Sequence, residues 1–400
     1  DLSTAAATID AKAELNAKVI INTGGGGDTI SATRSANFGD SINSGAGNDT
    51  IQFVNDGDLT NIDTVDGGAG TDTVSFSAAS TVTDAHFANF SNIETVTAAA
   101  TTAFTALTLG TNALAAGVET LTLQAANSVV TVDSGFTGPL AIAVSTGDVS
   151  VDASGSSGAM SFSAAVASIT EDDTISGGSG STDSLTLTAD NGTTNLSGVT
   201  GIETITITGV AEKTATITMG AVDTQIAEGA TLTVDASDMS VSDQILTFSG
   251  SASETDGFLN ITGGVGADTI TGAANNDTIS GGLAADSITG GLGADSITGG
   301  GGSDVMVYSA VAQSNSSNTD TITDFTTTED VLKVTLDYSA LAQSQTVNAT
   351  LVTAAAGITA VQNSLSGERG QYIYDTTNSK LYVNVNNDNL ITTLDYQISM

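Results

Sequence analysis

The sequence feature that most constrains the fold is an unbroken run of five nine-residue blocks between Gly263 and Met306. Each block begins with a glycine-rich stretch, carries an aspartate at its sixth position and has an apolar residue two positions later. The aspartates are Asp268, Asp277, Asp286, Asp295 and Asp304. The apolar residues are Ile270, Ile279, Ile288, Ile297 and Met306. A fixed short period predicts that every block adopts the same local structure and stacks on its neighbours.

In each block six residues are suited to a turn and three to a short strand. Glycine at the first, second and fourth positions permits positive φ and brings backbone carbonyl oxygens inward without side-chain clashes. The aspartate adds a carboxylate to this oxygen-lined loop, which is the hard, multidentate environment that Ca²⁺ prefers. Mg²⁺ is a poorer candidate because it demands octahedral geometry and keeps its waters. The blocks therefore predict calcium-binding turns between strands whose apolar residue faces the interior.

Two blocks are predicted to form one coil of a parallel roll, so that like edges recur every eighteen residues. One edge then carries Asp268, Asp286 and Asp304, and the other carries Asp277 and Asp295. Calcium is expected between successive coils of the same edge. Glycine and aspartate are also common in plain hairpin turns, but the shared register of the five blocks favours calcium sites.

Two loops of the run depart from the glycine pattern. Ala273 and Asn275 stand at glycine positions before Asp277, and Ala284 stands at one before Asp286. Asparagine tolerates a left-handed backbone fairly well, whereas alanine does so at a cost. The loops of Asp277 and Asp286 are therefore expected to be the weaker sites.

Related blocks occur nearer to the start of the chain. TGGGGDTI, SGAGNDTI and GGAGTDTV contain Asp28, Asp49 and Asp72, and a degenerate copy surrounds Asp40. A stretched copy, GGSGSTDSL, contains Asp183 and has one extra residue in its loop. Calcium is predicted at Asp28, Asp49, Asp72 and Asp183 by the same chemistry.

A looser pattern between these blocks places an acid before alternating threonine and aliphatic residues. It reads NIETVT at Glu94, GVETLTL at Glu119 and GIETITI at Glu203, with NIDTV at Asp63 as a shorter relative. Period-two alternation rich in Thr, Val and Ile predicts short strands, here as longer coils of one β-solenoid. The glutamates are interpreted as a solvated strand face, with a metal or interface role as the alternative.

The charge balance limits the partners of the chain. It has 45 acidic residues against 7 Lys and Arg, for a net charge of -38, which disfavours nucleic acid and anionic membranes. The acids are dispersed singly, as on a folded surface.

Cysteine is absent, no run of eighteen apolar residues occurs, and the first twenty-two residues lack the features of a secretory signal. The first twenty residues are predicted to be moderately helical.

The sequence does not favour catalysis. His86 is the single histidine, so the HExxH zinc signature is absent, and its position near Phe87 and Phe90 indicates a packed side chain. The glycine-rich loops lead into strands and no G-K-[ST] follows them, which argues against a phosphate-binding loop. The chain is predicted not to be an enzyme, although a pair of carboxylates aligned in a solenoid groove stays open as a glycosidase-like site.

The blocks resemble the RTX repeat with consensus GGxGxDxUx, where U is apolar, which implies a calcium-binding β-roll. The stretch VMVYSAVAQSNSSNTDTITDF looks like the segment that closes such rolls, which implies that Asp320 and Asp324 cap the last site. The tail, with QYIYD and LYVNVNNDN, is similar to C-terminal regions that carry type I secretion signals. Together with the GIETITI-like strands, the chain resembles Gram-negative RTX-type surface-layer proteins in particular.

The predicted fold is all-β, with parallel β-roll or β-solenoid coils that bind calcium and a closing C-terminal β region. The expected regions are an N-terminal repeat region at 1–75, a central β-rich region at 76–258, the calcium β-roll at 259–309 and the closing region at 310–400.

The expected function is that of an extracellular surface-layer subunit, exported unfolded and folding outside the cell as calcium binds. Its expected partners are further copies of itself and cell-surface polysaccharide, with no nucleic acid and no transmembrane segment. The alternatives are an RTX adhesin or matrix filament and a secreted polysaccharide-acting enzyme on a β-helix. The enzyme is less favoured because the seven basic residues are scattered along the chain.

Overall fold

The structure is a computed structural model that describes residues 4–11, 17–32, 39–54, 58–77, 80–98, 103–145, 148–180, 182–221, 223, 225–315, 317–326, 328–338, 343–349, 359–362, 371–375, 380–384 and 396–399. Its contacts divide the chain into two compact units. The first comprises Asp1–Leu187 with Gly198–Glu203, and the second comprises Thr188–Ser197 with Thr204–Met400. The four regions expected from the sequence rest on composition and repeats rather than on contacts, and they stay a prediction.

Short strands account for nearly all regular structure in the described residues. Up to residue 203 they are β1 (Thr8–Asp10), β2 (Ile20–Asn22), β3 (Thr29–Ser31), β4 (Ser41–Asn43), β5 (Thr50–Phe53), β6 (Thr64–Asp66), β7 (Thr73–Phe76), β8 (Ser80–Val82), β9 (Phe90–Ser91), β10 (Thr95–Ala98), β11 (Phe104–Leu109), β12 (Thr120–Leu123), β13 (Val129–Val132), β14 (Leu140–Val144), β15 (Ser150–Asp152), β16 (Met160–Ala165), β17 (Thr174–Ser176), β18 (Ser184–Thr188), β19 (Gly192–Asn195) and β20 (Val199–Thr200). Of these, β19 and the last residue of β18 belong to the second unit.

The remaining strands all lie in the second unit. They are β21 (Thr204–Thr208), β22 (Ala215–Thr218), β23 (Thr231–Asp235), β24 (Leu246–Ser249), β25 (Phe258–Thr262), β26 (Thr269–Thr271), β27 (Thr278–Leu283), β28 (Ser287–Thr289), β29 (Ser296–Gly301), β30 (Val305–Tyr308), β31 (Asp320–Ile322), β32 (Val331–Tyr338), β33 (Gln343–Ala349), β34 (Thr359–Gln362), β35 (Gln371–Asp375), β36 (Lys380–Asn384) and β37 (Tyr396–Ser399). The described helices are short: α1 (Thr111–Ala116) and the 3₁₀ turns Asp84–Phe87, Val166–Ser168 and Val311–Gln313.

The first unit is a parallel β-solenoid. Its strands pair in the orders β1-β3-β5-β7-β10-β12-β14-β16, β2-β4-β6-β9 and β8-β11-β13-β15-β17-β20. Inward-facing aliphatic residues stack from coil to coil and are fully buried, as in the column Ile30, Ile51, Val74, Val96 and Leu121. The NIETVT and GVETLTL segments form β10 and β12, which confirms the strands predicted there.

The second unit is also built from parallel coils. One sheet runs β19-β22-β24-β26-β28-β30-β32, and another runs β21-β23-β25-β27-β29-β31-β37. The closing strands are antiparallel, with β33 against β32 and β34 to β37 in sequential order. All-β structure, parallel solenoid coils and a closing β region were predicted, and the structure confirms them.

The five-block run forms coils of two blocks, as its period predicts. Ile270 is in register with Ile288, and Ile288 with Met306, while Ile279 is in register with Ile297. These apolar side chains are all buried. Since each coil needs eighteen residues, alternate blocks lie on the same edge of the roll.

The helix expected near the start of the chain is wrong for the described residues. Thr8–Asp10 forms β1, which pairs in parallel with Thr29–Ser31. The alanine-rich composition favoured a helix locally, but pairing with the next coil outweighs this weak propensity. None of the helices in the described part of the chain is long and apolar enough to cross a membrane.

Candidate metal centres

The aspartates of the five-block run form hydrogen-bonded ladders along the two edges of the roll. On one edge the backbone N–H of Asp268 donates to Oδ1 of Asp286 (2.7 Å), and the N–H of Asp286 donates to Oδ1 of Asp304 (2.9 Å). The N–H of Asp304 donates in turn to Oδ1 of Asp330 (3.0 Å). Each carboxylate thereby ties its own coil to the preceding one.

The other edge repeats the arrangement. The N–H of Leu259 donates to Oδ1 of Asp277 (2.9 Å), and the N–H of Asp277 donates to Oδ1 of Asp295 (2.9 Å). The ladder ends where the N–H of Asp295 donates to Oδ1 of Asp320 (3.0 Å). The two edges therefore contain the aspartates that the period assigned to them.

The first unit contains a ladder of the same kind. The N–H of Asp28 donates to Oδ1 of Asp49 (2.7 Å), and the N–H of Asp49 donates to Oδ1 of Asp72 (2.8 Å). The N–H of Asp72 donates to Oε2 of Glu94 (2.7 Å). Asp183 lies apart from this ladder, with its Oδ1 bound by the N–H of Met160 (2.7 Å).

Many of these aspartates bury a second carboxylate oxygen, Oδ2, that has no hydrogen-bond partner among the described residues. They include Asp28, Asp49, Asp72, Asp183, Asp286, Asp295 and Asp304. Each of these side chains is at most 2% exposed. A buried carboxylate oxygen without a donor or cation is costly. The sequence has no Lys or Arg between Arg34 and Lys213 or between Lys213 and Lys333, so the segments that contain Asp49, Asp72, Asp183, Asp286, Asp295 and Asp304 carry no basic residue.

Two aspartates of the run differ, because their own loops satisfy Oδ2. The N–H of Gly264 donates to Oδ2 of Asp268, and the N–H of Ala273 donates to Oδ2 of Asp277, each at 2.6 Å. In the three later blocks the second residue has a positive φ, and no N–H reaches Oδ2: these residues are Gly282, Gly291 and Gly300. Within the five-block run, the sign of φ at the second position thus separates the loops that satisfy their own carboxylate from those that leave an oxygen for a ligand.

The first glycine of each block has a role that differs from the expected one. Its φ is not positive in any of the five blocks. A Cβ at Gly263 would lie 2.6 Å from Oδ2 of Asp268, and a Cβ at Gly272 would lie 2.6 Å from Oδ2 of Asp277. Glycine is needed there because the carboxylate occupies the space of a side chain, and not for its left-handed freedom.

Burial makes these carboxylates hard to ionise without a cation. It raises the pKa of Asp295 to about 8 and that of Asp286 to about 7, and neighbouring ladder carboxylates add to the effect. The pKa values of Asp277 and Asp72 rise to about 6, again mainly through burial. Backbone N–H donors oppose the rise in each case. A divalent cation at the loops would favour the ionised form.

The closing segment places its two predicted residues differently. Asp324 is half-buried and accepts the N–H groups of Gly299 (2.9 Å) and Gly300 (2.8 Å), so it covers the last loop of the run. Asp320 is fully buried, and it ends the ladder of Asp295. Burial raises the pKa of Asp320 to about 7, although hydrogen bonds from the Asp295 N–H and from Tyr308 lower it.

Other ladder aspartates were missed because their loops lack the glycine pattern. The carboxylate of Asp63 accepts the N–H of Asp40 (2.8 Å) and the N–H of Thr60 (2.6 Å). Asp173 and Asp330 make the same pair of contacts with their own neighbouring coil and loop. Each lies two residues before a buried apolar residue. This Asp-x-apolar spacing is the sequence signal that could have identified them as ladder aspartates.

A separate acidic cluster joins Asp223, Glu254 and Asp256, whose carboxylate oxygens lie within 4.8 Å of one another. Asp223 binds the N–H (2.8 Å) and hydroxyl (2.9 Å) of Thr255, and Glu254 accepts the N–H of Gly257 (3.2 Å). These bonds stabilise the turn.

His86, the single histidine, is partly buried, and its Nδ1 accepts the N–H of Thr83 (3.0 Å), as a structural residue does.

The ladder loops fit a calcium ion in their chemistry. The unpartnered atoms are hard carboxylate oxygens, and a backbone carbonyl borders the same space: a Cβ at Gly281 would collide with both Oδ2 of Asp286 and the carbonyl of Gly299. Ca²⁺ takes six to eight oxygen ligands in flexible geometry. The loops with an unpartnered Oδ2 would hold the ion, and its charge would neutralise carboxylates that adjacent coils bring together.

Comparison with known families agrees with this chemistry. Residues 242–399 match the family described as the peptidase M10 serralysin C-terminal domain, and residues 60–78 match the RTX calcium-binding nonapeptide repeat (4 copies). The first match includes the five-block run and the second includes Asp72. The serralysin C-terminal domain is a non-catalytic part of M10 peptidases, and neither match is a catalytic domain. A search of curated proteins found no match. The chain therefore contains RTX-type calcium-binding repeats and a C-terminal region similar to the serralysin C-terminal domain.

Proposed function

We propose that the protein is a subunit of an extracellular surface layer, and that calcium controls both its folding and its assembly. The observation that carries the proposal is the set of buried, unpartnered Oδ2 atoms stacked in successive coils of a chain with few basic residues. Calcium-free coils hold like charges in contact, so they are stable only when a cation or protons neutralise them. The chain is exported unfolded and folds outside the cell, where calcium is available.

The net charge supports a role for calcium in assembly. Copies of a chain with charge -38 repel one another when they pack side by side. Each bound Ca²⁺ cancels two charges, so roughly ten ions, a number based on the repeats and their oxygen ligands, remove about half of the excess. Monovalent salt screens the remaining charge but does not bridge carboxylates. The proposed partner is therefore a further copy of the chain, with cell-surface polysaccharide as its proposed attachment.

Assembly in three ionic conditions tests the proposal. Purified calcium-free protein is brought to millimolar CaCl₂, to MgCl₂ at the same concentration, or to NaCl at matched ionic strength. Each sample is examined by light scattering and electron microscopy. Ordered sheets are expected with calcium, few with magnesium and none with sodium.

The variant Asp286→Asn combined with Asp295→Asn removes two carboxylates whose Oδ2 is unpartnered, and it should assemble poorly in calcium. Asp268→Asn is the matched control, since the Oδ2 of Asp268 is already bound by Gly264. Filaments with calcium would support the matrix-filament alternative instead. Dispersed monomers with calcium, or ordered sheets from calcium-free protein in sodium alone, would overturn the proposal.

A further inference from the structure

Two glutamates outside the glycine-rich repeats close an aspartate loop in the same way. The N–H of Asp72 donates to Oε2 of Glu94, and the N–H of Asp183 donates to Oε2 of Glu203, each at 2.7 Å. In return, the N–H of Glu94 donates to the backbone carbonyl of Asp72 (3.2 Å), and that of Glu203 to the carbonyl of Asp183 (3.0 Å). The two pairs therefore share one reciprocal pattern, although they lie in different coils.

Each glutamate occupies the place of the next ladder aspartate. Thr95 is in register with Thr73, so Glu94 stands beside Asp72 in the column that begins at Asp28. Its Oε2 accepts the N–H of Asp72 as Oδ1 of an aspartate does in the repeats. The carboxylate has a second oxygen, which the ladder bond leaves available.

The aspartates facing these glutamates each offer an unsatisfied oxygen. Asp72 is fully buried and Asp183 is 1% exposed, and Oδ2 of each has no hydrogen-bond partner. Each pair thus brings two carboxylates together around an oxygen that lacks a donor. The nearest Lys or Arg in the sequence to Asp72 is Arg34, and that to Asp183 is Lys213.

Backbone carbonyls converge on both pairs as well. Asn92 and Gly201, two residues before the glutamates, have φ of 55° and 64°. A Cβ at Gly67 would collide with the carbonyl of Asn92, and one at Gly177 with that of Gly201. Since Gly67 and Gly177 begin the loops of Asp72 and Asp183, both sites combine carboxylate and carbonyl oxygens.

Glu119 shows that the sequence motif alone does not create this arrangement. It has the same context, GVETLTL, and Gly117 two residues earlier also has a positive φ of 103°. The coil next to Glu119, however, is that of Glu94. The N–H of Glu94 is itself already bound to the carbonyl of Asp72. Glu119 is exposed, and it stands beside another glutamate rather than beside a glycine-rich aspartate loop.

We propose that Glu94 and Glu203 are calcium ligands that complete one site with Asp72 and one with Asp183. The ligand class is a hard divalent cation bound by two carboxylates and backbone carbonyl oxygen. This inference rests on the calcium binding of the repeats and is independent of assembly into a layer. It extends calcium coordination to strands outside the glycine-rich consensus.

Calcium titration of the full chain tests the assignment. Calcium-free wild type, Glu94→Gln, Glu203→Gln and Glu119→Gln are titrated with CaCl₂ by calorimetry at protein concentrations where the chain is monomeric. Glutamine keeps an oxygen for the aspartate N–H, so the hydrogen bond of the ladder is retained. Glu94→Gln and Glu203→Gln should each lose one bound ion, or bind one ion at least tenfold more weakly, and the double variant should show both losses. Glu119→Gln should match the wild type.

Full ion counts and unchanged affinities in Glu94→Gln and Glu203→Gln would overturn the assignment. Circular dichroism in chelator checks that each variant keeps the calcium-free spectrum of the wild type. If the glutamine variants do not fold, Glu94→Asp and Glu203→Asp, which keep the charge but are one methylene shorter, are titrated instead: weakened binding of one ion supports the assignment, and unchanged binding overturns it. A chain that binds the full number of ions but forms no layer contradicts the proposed function and leaves this assignment intact.

Discussion

The backbone N–H of Asp286 donates to Oδ1 of Asp304 at 2.9 Å, while Oδ2 of Asp304 has no donor in the part of the chain that the structure describes. One carboxylate therefore has two functions, since one oxygen joins neighbouring coils and the other is left for a cation. Asp268 has the same place two coils earlier, but its second oxygen is bound by the N–H of Gly264. Repeats that look alike in sequence are thus chemically different.

The two kinds of loop should differ in calcium stoichiometry. Asp295→Asn removes a carboxylate whose Oδ2 is unpartnered, and it should lose a bound ion or weaken one site by at least about tenfold, or about 1.4 kcal/mol. Asp277→Asn, on the same edge, alters a carboxylate that its own loop already binds through Ala273, and it should keep the ion count. Calorimetric titration of the two variants measures this difference, and equal losses would contradict the partition.

The stability of the calcium-free protein should fall as the pH rises. The pKa values of Asp286 and Asp295 are raised to about 7 and about 8 by burial, from about 3.9 in an unfolded chain. Between these limits the folded state binds more protons than the unfolded state, so the free energy of unfolding decreases with increasing pH. Thermal unfolding in chelator should give a higher Tm at pH 5.5 than at pH 8.5. Each kcal/mol of unfolding free energy lost between these two pH values should lower the Tm by roughly 2–4 °C.

Saturating calcium should reverse this trend, because the ion binds the ionised carboxylates and competes with protons. The matched scan in calcium should therefore show a Tm that rises from pH 5.5 to pH 8.5. A calcium-free Tm that increases with pH would show that these carboxylates are ionised without cost in the folded state.

Chelation should open the roll before it opens the rest of the second unit. The coils of β28 and β29 bring together carboxylates whose charge is unbalanced without calcium, whereas β22 and β24 are held by ordinary ladder bonds and apolar packing. Hydrogen exchange should show that the amides of Ile288 and Ile297 lose protection in chelator. The amides of Ile217 and Phe248 serve as the control, and equal protection of all four with and without calcium would contradict the role of the ion.

Ala284 offers a test of the loop geometry. It adopts a left-handed backbone with φ of 72° in the loop of Asp286. Such a conformation costs a non-glycine residue about 1–2 kcal/mol, and glycine removes this cost. Glycine also has more conformational freedom in the unfolded chain, which offsets part of the gain in stability. Ala284→Gly should therefore stabilise the calcium-bound protein by roughly 0.5–1 kcal/mol. Ala285→Gly, in the same loop but without a positive φ, should destabilise it in chemical denaturation.

The repeat period made part of the site predictable. A count of nine residues per block determines which aspartates share an edge and which isoleucines stack, because coil length sets the register of parallel strands. The ends of the ladders follow no such count. Asp330 lies twenty-six residues after Asp304, beyond an interrupted coil, and its loop has no glycine pattern.

The difference between bound and unbound Oδ2 was not predictable from residue types. Gly264 and Gly282 are both glycines at the second position of their blocks, yet only Gly282 has a positive φ. Glycine permits either conformation, so the choice depends on the coil that packs beneath the loop. Gly264 lies against both the carbonyl and the Cβ of Met239, whereas Gly282 lies against the carbonyl of Gly264, which has no Cβ. No single block encodes this difference between neighbouring coils.

The ladder also has a polarity. Each ladder N–H points to a carboxylate of a coil that comes later in the chain, from Asp268 to Asp286 and from Asp28 to Asp49. Deleting a coil at the N-terminal side leaves a carboxylate oxygen without its donor, whereas deleting one at the C-terminal side leaves an amide hydrogen without its acceptor, and unpaired buried N–H groups are the rarer of the two in proteins. Duplication of a coil is accordingly tolerated best where the stack begins, and the final coil must keep its own terminating residue. Variation in repeat number is therefore expected where the stack begins rather than at its last turn.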